Sequence, residues 1–308
     1  MLNVVATTLQ DSPPCVTRAK RRSAMNARSI PVIAAFLTLV LAGALPATAA
    51  GGTSYYYLAL GDSLAQGVQP NTRGDSVVTN QGYVDDLYGL YRAEVAGLQL
   101  AKLGCPGETT TTMIHGGVCY PAGTSQLDRA VAFLRSHLVV LVTIDIGANN
   151  VLPCVGLSGI DTGCINQGVG EVSHDLPYIL AQLRAAAGPG VPIVAMNYYD
   201  PFLAEWLQGP AGQALAKQSV QFTTFFNSVL AQIYAAARVP VADVQAAFQT
   251  TNFTPVPPLG LPLNVALLCA STWMCAPSPI GPNIHPNVVG YWVIAGTFAK
   301  TIGLLRSP

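Results

Sequence analysis

The sequence predicts an α/β domain, a parallel sheet sandwiched between helices. Three observations predict it: short apolar runs of strand length recur along the chain, longer segments of helical periodicity lie between them, and the connections are mostly short. The expected strands are Tyr55 to Leu60, Leu98 to Leu103, Leu138 to Ile146, Val191 to Tyr198 and Val239 to Val244. Between them lie the helical patterns Tyr83 to Val95, Ser125 to Ser136, Gly170 to Ala187 and Gln213 to Ala237. The last carries Leu215, Val220, Phe222, Phe226, Val229, Leu230 and Ile233, close to one apolar stripe. A closing helix is expected over Val288 to Leu305, after His285-Pro286-Asn287.

Two long segments interrupt this rhythm. Pro153 to Val169 is glycine-rich, Thr250 to Pro286 is proline-rich, and each holds a pair of cysteines. Both are expected to be irregular functional loops, since long structureless segments in compact domains are functional or disordered and there is little reason to staple a disordered one.

The first 50 of the 308 residues are expected to be a leader and secretory signal peptide. Met25-Asn26-Ala27-Arg28 opens a basic region, Ile30 to Ala44 is apolar, and Ala47-Thr48-Ala49 is a small-x-small cleavage site. The apolar stretch is shorter than the roughly 20 residues of a membrane span. Met25 stands where a signal peptide would start, so residues 1 to 24 read as an upstream mis-start; Arg21-Arg22 suggests a twin-arginine signal only weakly. Residues 51–308, about 258 in number, then form a single domain large enough for one substantial core.

Removing the leader takes away five basic residues and one acidic residue, leaving ten against fourteen. A mild negative balance without a Lys/Arg cluster argues against nucleic acid as a partner. Of seven cysteines, six remain in the mature chain and fall into local couples: Cys105 with Cys119, Cys154 with Cys164, Cys269 with Cys275. Three disulfides fit an exported protein. No spacing is C-x-x-C and no histidine accompanies a pair, so a metal site is not expected. The chain is expected to need no cofactor, to act as a secreted monomer without an integral membrane segment, and to meet a small-molecule or lipid ester.

Four blocks follow successive strands and therefore share one edge of the sheet. They are Gly61-Asp62-Ser63-Leu64, Gly104-Cys105-Pro106-Gly107-Glu108-Thr109, Gly147-Ala148-Asn149-Asn150 and Asn283-Ile284-His285-Pro286-Asn287. Alone, Ser63 reads as a helix N-cap. Together the blocks supply what acyl transfer needs: a nucleophile in Ser63, a base in His285, and oxyanion donors in the Ser63 N–H, the Gly107 N–H and the Asn149 amide. No Gly-x-Ser-x-Gly elbow, His-Glu-x-x-His or phosphate loop competes.

The order and spacing resemble the GDSL or SGNH hydrolases, a family named for its Ser, Gly, Asn and His, and the resemblance covers essentially the whole mature chain. It implies a three-layer α/β/α, flavodoxin-like fold with a central parallel sheet. It also implies esterase or lipase activity through Ser63 and His285, with an oxyanion hole from Ser63, Gly107 and Asn149. Gly107 is preferred over Gly104 because Cys-Pro-Gly-Glu-Thr-Thr looks like the secreted actinobacterial members. Asn150 stands where the family usually has aspartate, a change expected to cost little.

In the fourth block the family's aspartate, two or three residues before the histidine, is replaced by Pro282 and Asn283. Three readings follow. The first gives His285 a main-chain carbonyl acceptor in the loop Ser271 to Pro282, around Trp273, held by the Cys269–Cys275 bridge. The second uses the Asn283 side-chain carbonyl, and the third is a scaffold retained for binding without turnover. Asp62 is expected to be a turn residue, Asp145 a buried strand residue, Asp200 part of the pocket rim, and His115, His137 and His174 surface or structural. Phe202, Trp206, Trp273 and Met274 are expected to line an acyl pocket or join the core.

Overall fold

The computed structural model describes residues 53–156 and 159–304. The expected leader, signal segment and cleavage site lie outside the described residues. Five parallel strands form the central sheet: Tyr55–Gly61, Leu98–Lys102, Leu138–Asp145, Ile193–Met196 and Val241–Ala242. Numbered along the chain, their spatial order is 2-1-3-4-5. The order reverses between the first and third strands, and in open α/β sheets that switch point is where the carboxyl ends leave a crevice for a ligand. Ser63 follows the first strand and Asn149 the third, so the fold delivers both to it.

Long helices cover the sheet: α1 (Tyr83–Tyr91), α3 (Gln126–Ser136), α4 (Thr162–Ala187), α5 (Pro210–Ala236) and α8 (Val288–Thr301), with α2 (Thr110–His115), α6 (Val244–Ala247) and α7 (Leu263–Ser271) as shorter pieces. The sheet is three-layered α/β/α, as the alternation predicts. Leu58, Leu60, Val142 and Ile144 on the central strands are fully buried, and each apolar side chain so buried contributes about 1.5–3 kcal/mol. Tyr83 of α1 stacks on Phe298 of α8, centroids 4.9 Å apart, which joins the first and last helices.

Two expectations are corrected. The segment Pro153 to Val169 is not wholly a loop, because α4 begins at Thr162. Its glycines argue against helix, but Asp161 accepts hydrogen bonds from the N–H groups of Gly163 (2.9 Å) and Cys164 (3.0 Å) and starts it. Gly168 passes so near the Asn150 carbonyl that a Cβ would collide with it; tertiary contact overrides propensity. Likewise Thr250 to Pro286 contains α7, with Val265 and Leu268 in the core. Ser63 caps no helix: its carbonyl accepts the Val68 N–H (3.1 Å) in a tight turn, and α1 starts only at Tyr83.

All three expected disulfides are formed, Cys105–Cys119, Cys154–Cys164 and Cys269–Cys275. Among the described residues no helix is long and apolar enough to cross a membrane.

Candidate active site

The turn that carries Ser63 is built on close approach. Gly61 has φ +133°, and a Cβ there would collide with the Asp145 carbonyl, so only glycine lets the first strand end against the third. Gln126, fully buried at the start of α3, holds the Gly61 peptide at both ends. Its Oε1 accepts the Gly61 N–H (2.7 Å) and its Nε2 donates to the Gly61 carbonyl (2.9 Å) and to Glu108 (3.0 Å). No motif in the sequence points to Gln126. Asp62 is the expected turn residue, its Oδ1 accepting the Leu64 N–H at 2.9 Å.

Beneath the turn lies a buried acid pair. Asp62 N–H donates to the Asp145 carbonyl (3.1 Å) and side chain (3.3 Å), while Tyr83 OH donates to Asp145 Oδ1 (2.5 Å). Burial raises both carboxyls, and the charge of Asp62 drives Asp145 higher still.

Gly107 occupies the third position of a turn closed by the Glu108 N–H on the Cys105 carbonyl (3.0 Å), with φ +83°. Proline before a positive-φ glycine makes this a type II turn. Gly104, the fallback, is instead a packing glycine whose Cβ would press on Ala65 at 2.7 Å. The second and third loops are laced together. Asn149 Nδ2 donates to the Glu108 carbonyl (2.9 Å) and more weakly to Asp62 Oδ2 (3.4 Å), and Asn150 Oδ1 accepts the Thr110 N–H (3.0 Å). Asn150 is thus a buried strut between loops.

His285, 9% exposed, lies on the short strand Asn283–Pro286, which pairs with Thr272–Trp273. Its Nδ1 is 2.7 Å from Asn283 Oδ1, which also accepts the His285 backbone N–H at 3.0 Å. An amide oxygen only accepts, so Nδ1 carries the proton and Nε2 is left as a base. This corrects the preference for a main-chain acceptor: the Trp273 carbonyl accepts the Ala276 N–H (3.3 Å) instead. Burial pushes the imidazole down to about 4, so it is neutral at physiological pH.

Ser63, Asn149 and His285 line one cavity of about 60 Å³, whose remaining wall includes Leu152, Val155, Phe202, Phe222, Phe226 and Ile284. No hydrogen bond joins Ser63 Oγ to the imidazole in this state, and such contacts often tighten only with substrate bound. Of the expected pocket aromatics only Phe202 lines this wall. Trp206 packs on Phe253 at 5.5 Å, and Trp273 Nε1 donates to Gln69 (3.3 Å). Asp200 sits just behind the rim, fully buried, accepting from Ser219 (2.7 Å) and the Phe202 N–H (2.9 Å).

Residues 59–293 match the model of the GDSL-like Lipase/Acylhydrolase family. The chain belongs to this family. It is accordingly a hydrolase of ester substrates. Solved structures similar to this GDSL-like hydrolase include phospholipase A1 from Streptomyces albidoflavus NA297, at 20% identity and TM-score 0.54, covering 81% of this chain and 100% of that one. An extracellular lipase from Streptomyces rimosus is similar at 19% identity and TM-score 0.53, over 80% of this chain and 100% of that one. The lipase Lip_vut3 from a goat rumen metagenome reaches TM-score 0.51 at 16% identity, over 80% and 97%. At these identities the likeness is one of fold. No curated protein matches the sequence.

Proposed function

We propose that this GDSL-like hydrolase is a secreted serine esterase or lipase that cleaves carboxylic esters through an acyl-enzyme on Ser63. The observation that carries the reading is the convergence of Ser63, Asn149 and a neutral His285 on one apolar-walled cavity at the switch point of the sheet.

His285 Nε2 takes the Ser63 proton as Oγ attacks the ester carbonyl, and Asn283 holds the Nδ1–H so that the productive tautomer persists. The oxyanion is met by the Ser63 and Gly107 N–H groups and the Asn149 amide. Collapse of the tetrahedral intermediate expels the alkoxide, which leaves with the proton from Nε2. Water, activated by the same nitrogen, then adds to the acyl-enzyme and releases the carboxylic acid. Residues 1–50 are proposed to be removed on export and residues 51–308 to be the working domain, a reading the three disulfides support.

The test is hydrolysis of p-nitrophenyl acetate and longer esters. Ser63→Ala is expected to lower kcat by at least about 10³-fold, and Asn149→Ala by about 10²–10³-fold. Turnover no higher in wild type than in Ser63→Ala would instead favour a secreted binding protein on this scaffold, the reading that the neutral Asn283 leaves open.

A further inference from the structure

We propose that Tyr199 is a positioning residue for the acyl transfer: its hydroxyl fixes the peptide unit that carries His285 and so holds the base over Ser63. The inference rests on the Ser63–His285 reading above.

His285 does not lie on the central sheet. Its strand, Asn283–Pro286, belongs to a separate two-stranded pair with Thr272–Trp273. In that pair Pro286 stands opposite Thr272 and Asn283 opposite Trp273, and the register shifts between them. Ile284 and His285 therefore have no partner in the ladder. Such a bulge turns a side chain out of the regular pleat, here the imidazole that lines the cavity. It also leaves the Ile284–His285 peptide without the ladder bonds that would fix it.

Two side chains take the ladder's place. At the N–H end Asn283 Oδ1 accepts from His285 at 3.0 Å, a bond within the strand itself. At the carbonyl end the Tyr199 hydroxyl donates to Ile284 at 2.6 Å, across 85 positions. A carbonyl oxygen only accepts, so the direction of this bond is fixed. Burial pushes the phenol further above its ordinary value, so it stays protonated and keeps donating at neutral pH. Of the two bonds, this one refers the histidine peptide to the central sheet, since Tyr199 follows the strand Ile193–Met196. Tyr199 is itself held firmly. Its ring stacks on Phe248, centroids 4.7 Å apart. The main chain of Tyr198 beside it is gripped by Asn227 of α5, whose Oδ1 accepts the N–H (3.0 Å) and whose Nδ2 donates to the carbonyl (2.8 Å). A hydroxyl with this little freedom sets where the imidazole stands relative to Ser63, and misplacement by about 1 Å is enough to slow a reaction.

Kinetics of Tyr199→Phe, His285→Ala and the double variant on p-nitrophenyl acetate, at a temperature below every Tm, test this. Phenylalanine keeps the ring against Phe248 and in the cavity wall and removes only the hydroxyl. Tyr199→Phe is expected to lower kcat about three- to tenfold at unchanged KM, the net value of one hydrogen bond. In the residual turnover of the His285→Ala background it is expected to cost nothing further. An unchanged kcat in Tyr199→Phe, or an equal fold-loss in both backgrounds, would overturn the proposal. Wild-type turnover in His285→Ala would instead overturn the base assignment beneath it. The His285 Nδ1 proton, assigned in NMR spectra by its loss in His285→Ala, gives a readout independent of turnover. Its exchange with solvent at neutral pH is expected to be faster in Tyr199→Phe; equal exchange would overturn the proposal even if Ser63 proved not to be a nucleophile.

Discussion

In the proposed acyl transfer Asn283 is the residue that orients the base. It accepts the Nδ1 proton of His285 at 2.7 Å but carries no charge, so burial acts unopposed and the imidazole falls to about 4. In the proposed mechanism only neutral imidazole takes the serine proton, so the acid limb of kcat/KM, which reports the free enzyme's base, should lie near pH 4. Asn283→Asp places an anion beside the ring, favours the charged form, and should move that limb upward by about 1–3 pH units; pH profiles of both forms check this. Phe226 stands at the cavity wall, 3% exposed. It closes the apolar wall of that cavity, so Phe226→Ala should shift an acyl-length series toward longer chains relative to wild type.

Elements position these residues through their ends. The first and third strands meet at Gly61 and Asp145, the second loop is tied to the third through Asn149 and Asn150, and the strand Asn283–Pro286 is held by its pairing with Thr272–Trp273. The turn Pro201–Gln208 is capped by Asp200, whose carboxyl burial pushes up to about 7. Its folded pKa is thus raised above the ordinary carboxylate value. The folded state holds more protons than the unfolded state between about pH 4 and 7, so stability from this group is present at low pH and lost as pH rises through that window. Asp200→Asn keeps the Phe202 contact without the titration. Its urea midpoint should therefore gain on wild type between pH 5 and pH 8, and parallel midpoints would refute the assignment.

Across the whole molecule the three disulfides close separate loops of 14, 10 and 6 residues, two of them in segments next to the site. Each bridge contributes about 2–4 kcal/mol in the chain-entropy picture. Full reduction should lower the Tm measured by circular dichroism and depress ester hydrolysis below the Tm of the oxidised form; an unchanged Tm would count against a structural role.

Much of this was legible in the sequence, because hydrophobic periodicity is a local property that burial in a sheet or under a helix imposes directly. The five strands and the long helices follow from it, and with them the three blocks that end the first three strands; the fourth does not follow a strand of the central sheet but lies on the separate pair Thr272–Trp273 and Asn283–Pro286. Ser63 and Asn149 were readable because each directly follows a strand of the central sheet, whereas His285 was singled out by the order of the four blocks and the family resemblance. The tertiary structure alone decided the rest. Gln126 clamps Gly61 across 65 positions, Gly168 of α4 packs on the Asn150 carbonyl, and Asn283 serves His285 on a strand placed by its pairing with Thr272–Trp273. The Gln126 carboxamide has no fixed donor and acceptor until the fold brings both ends of the Gly61 peptide to it, so no local pattern in the sequence marks it.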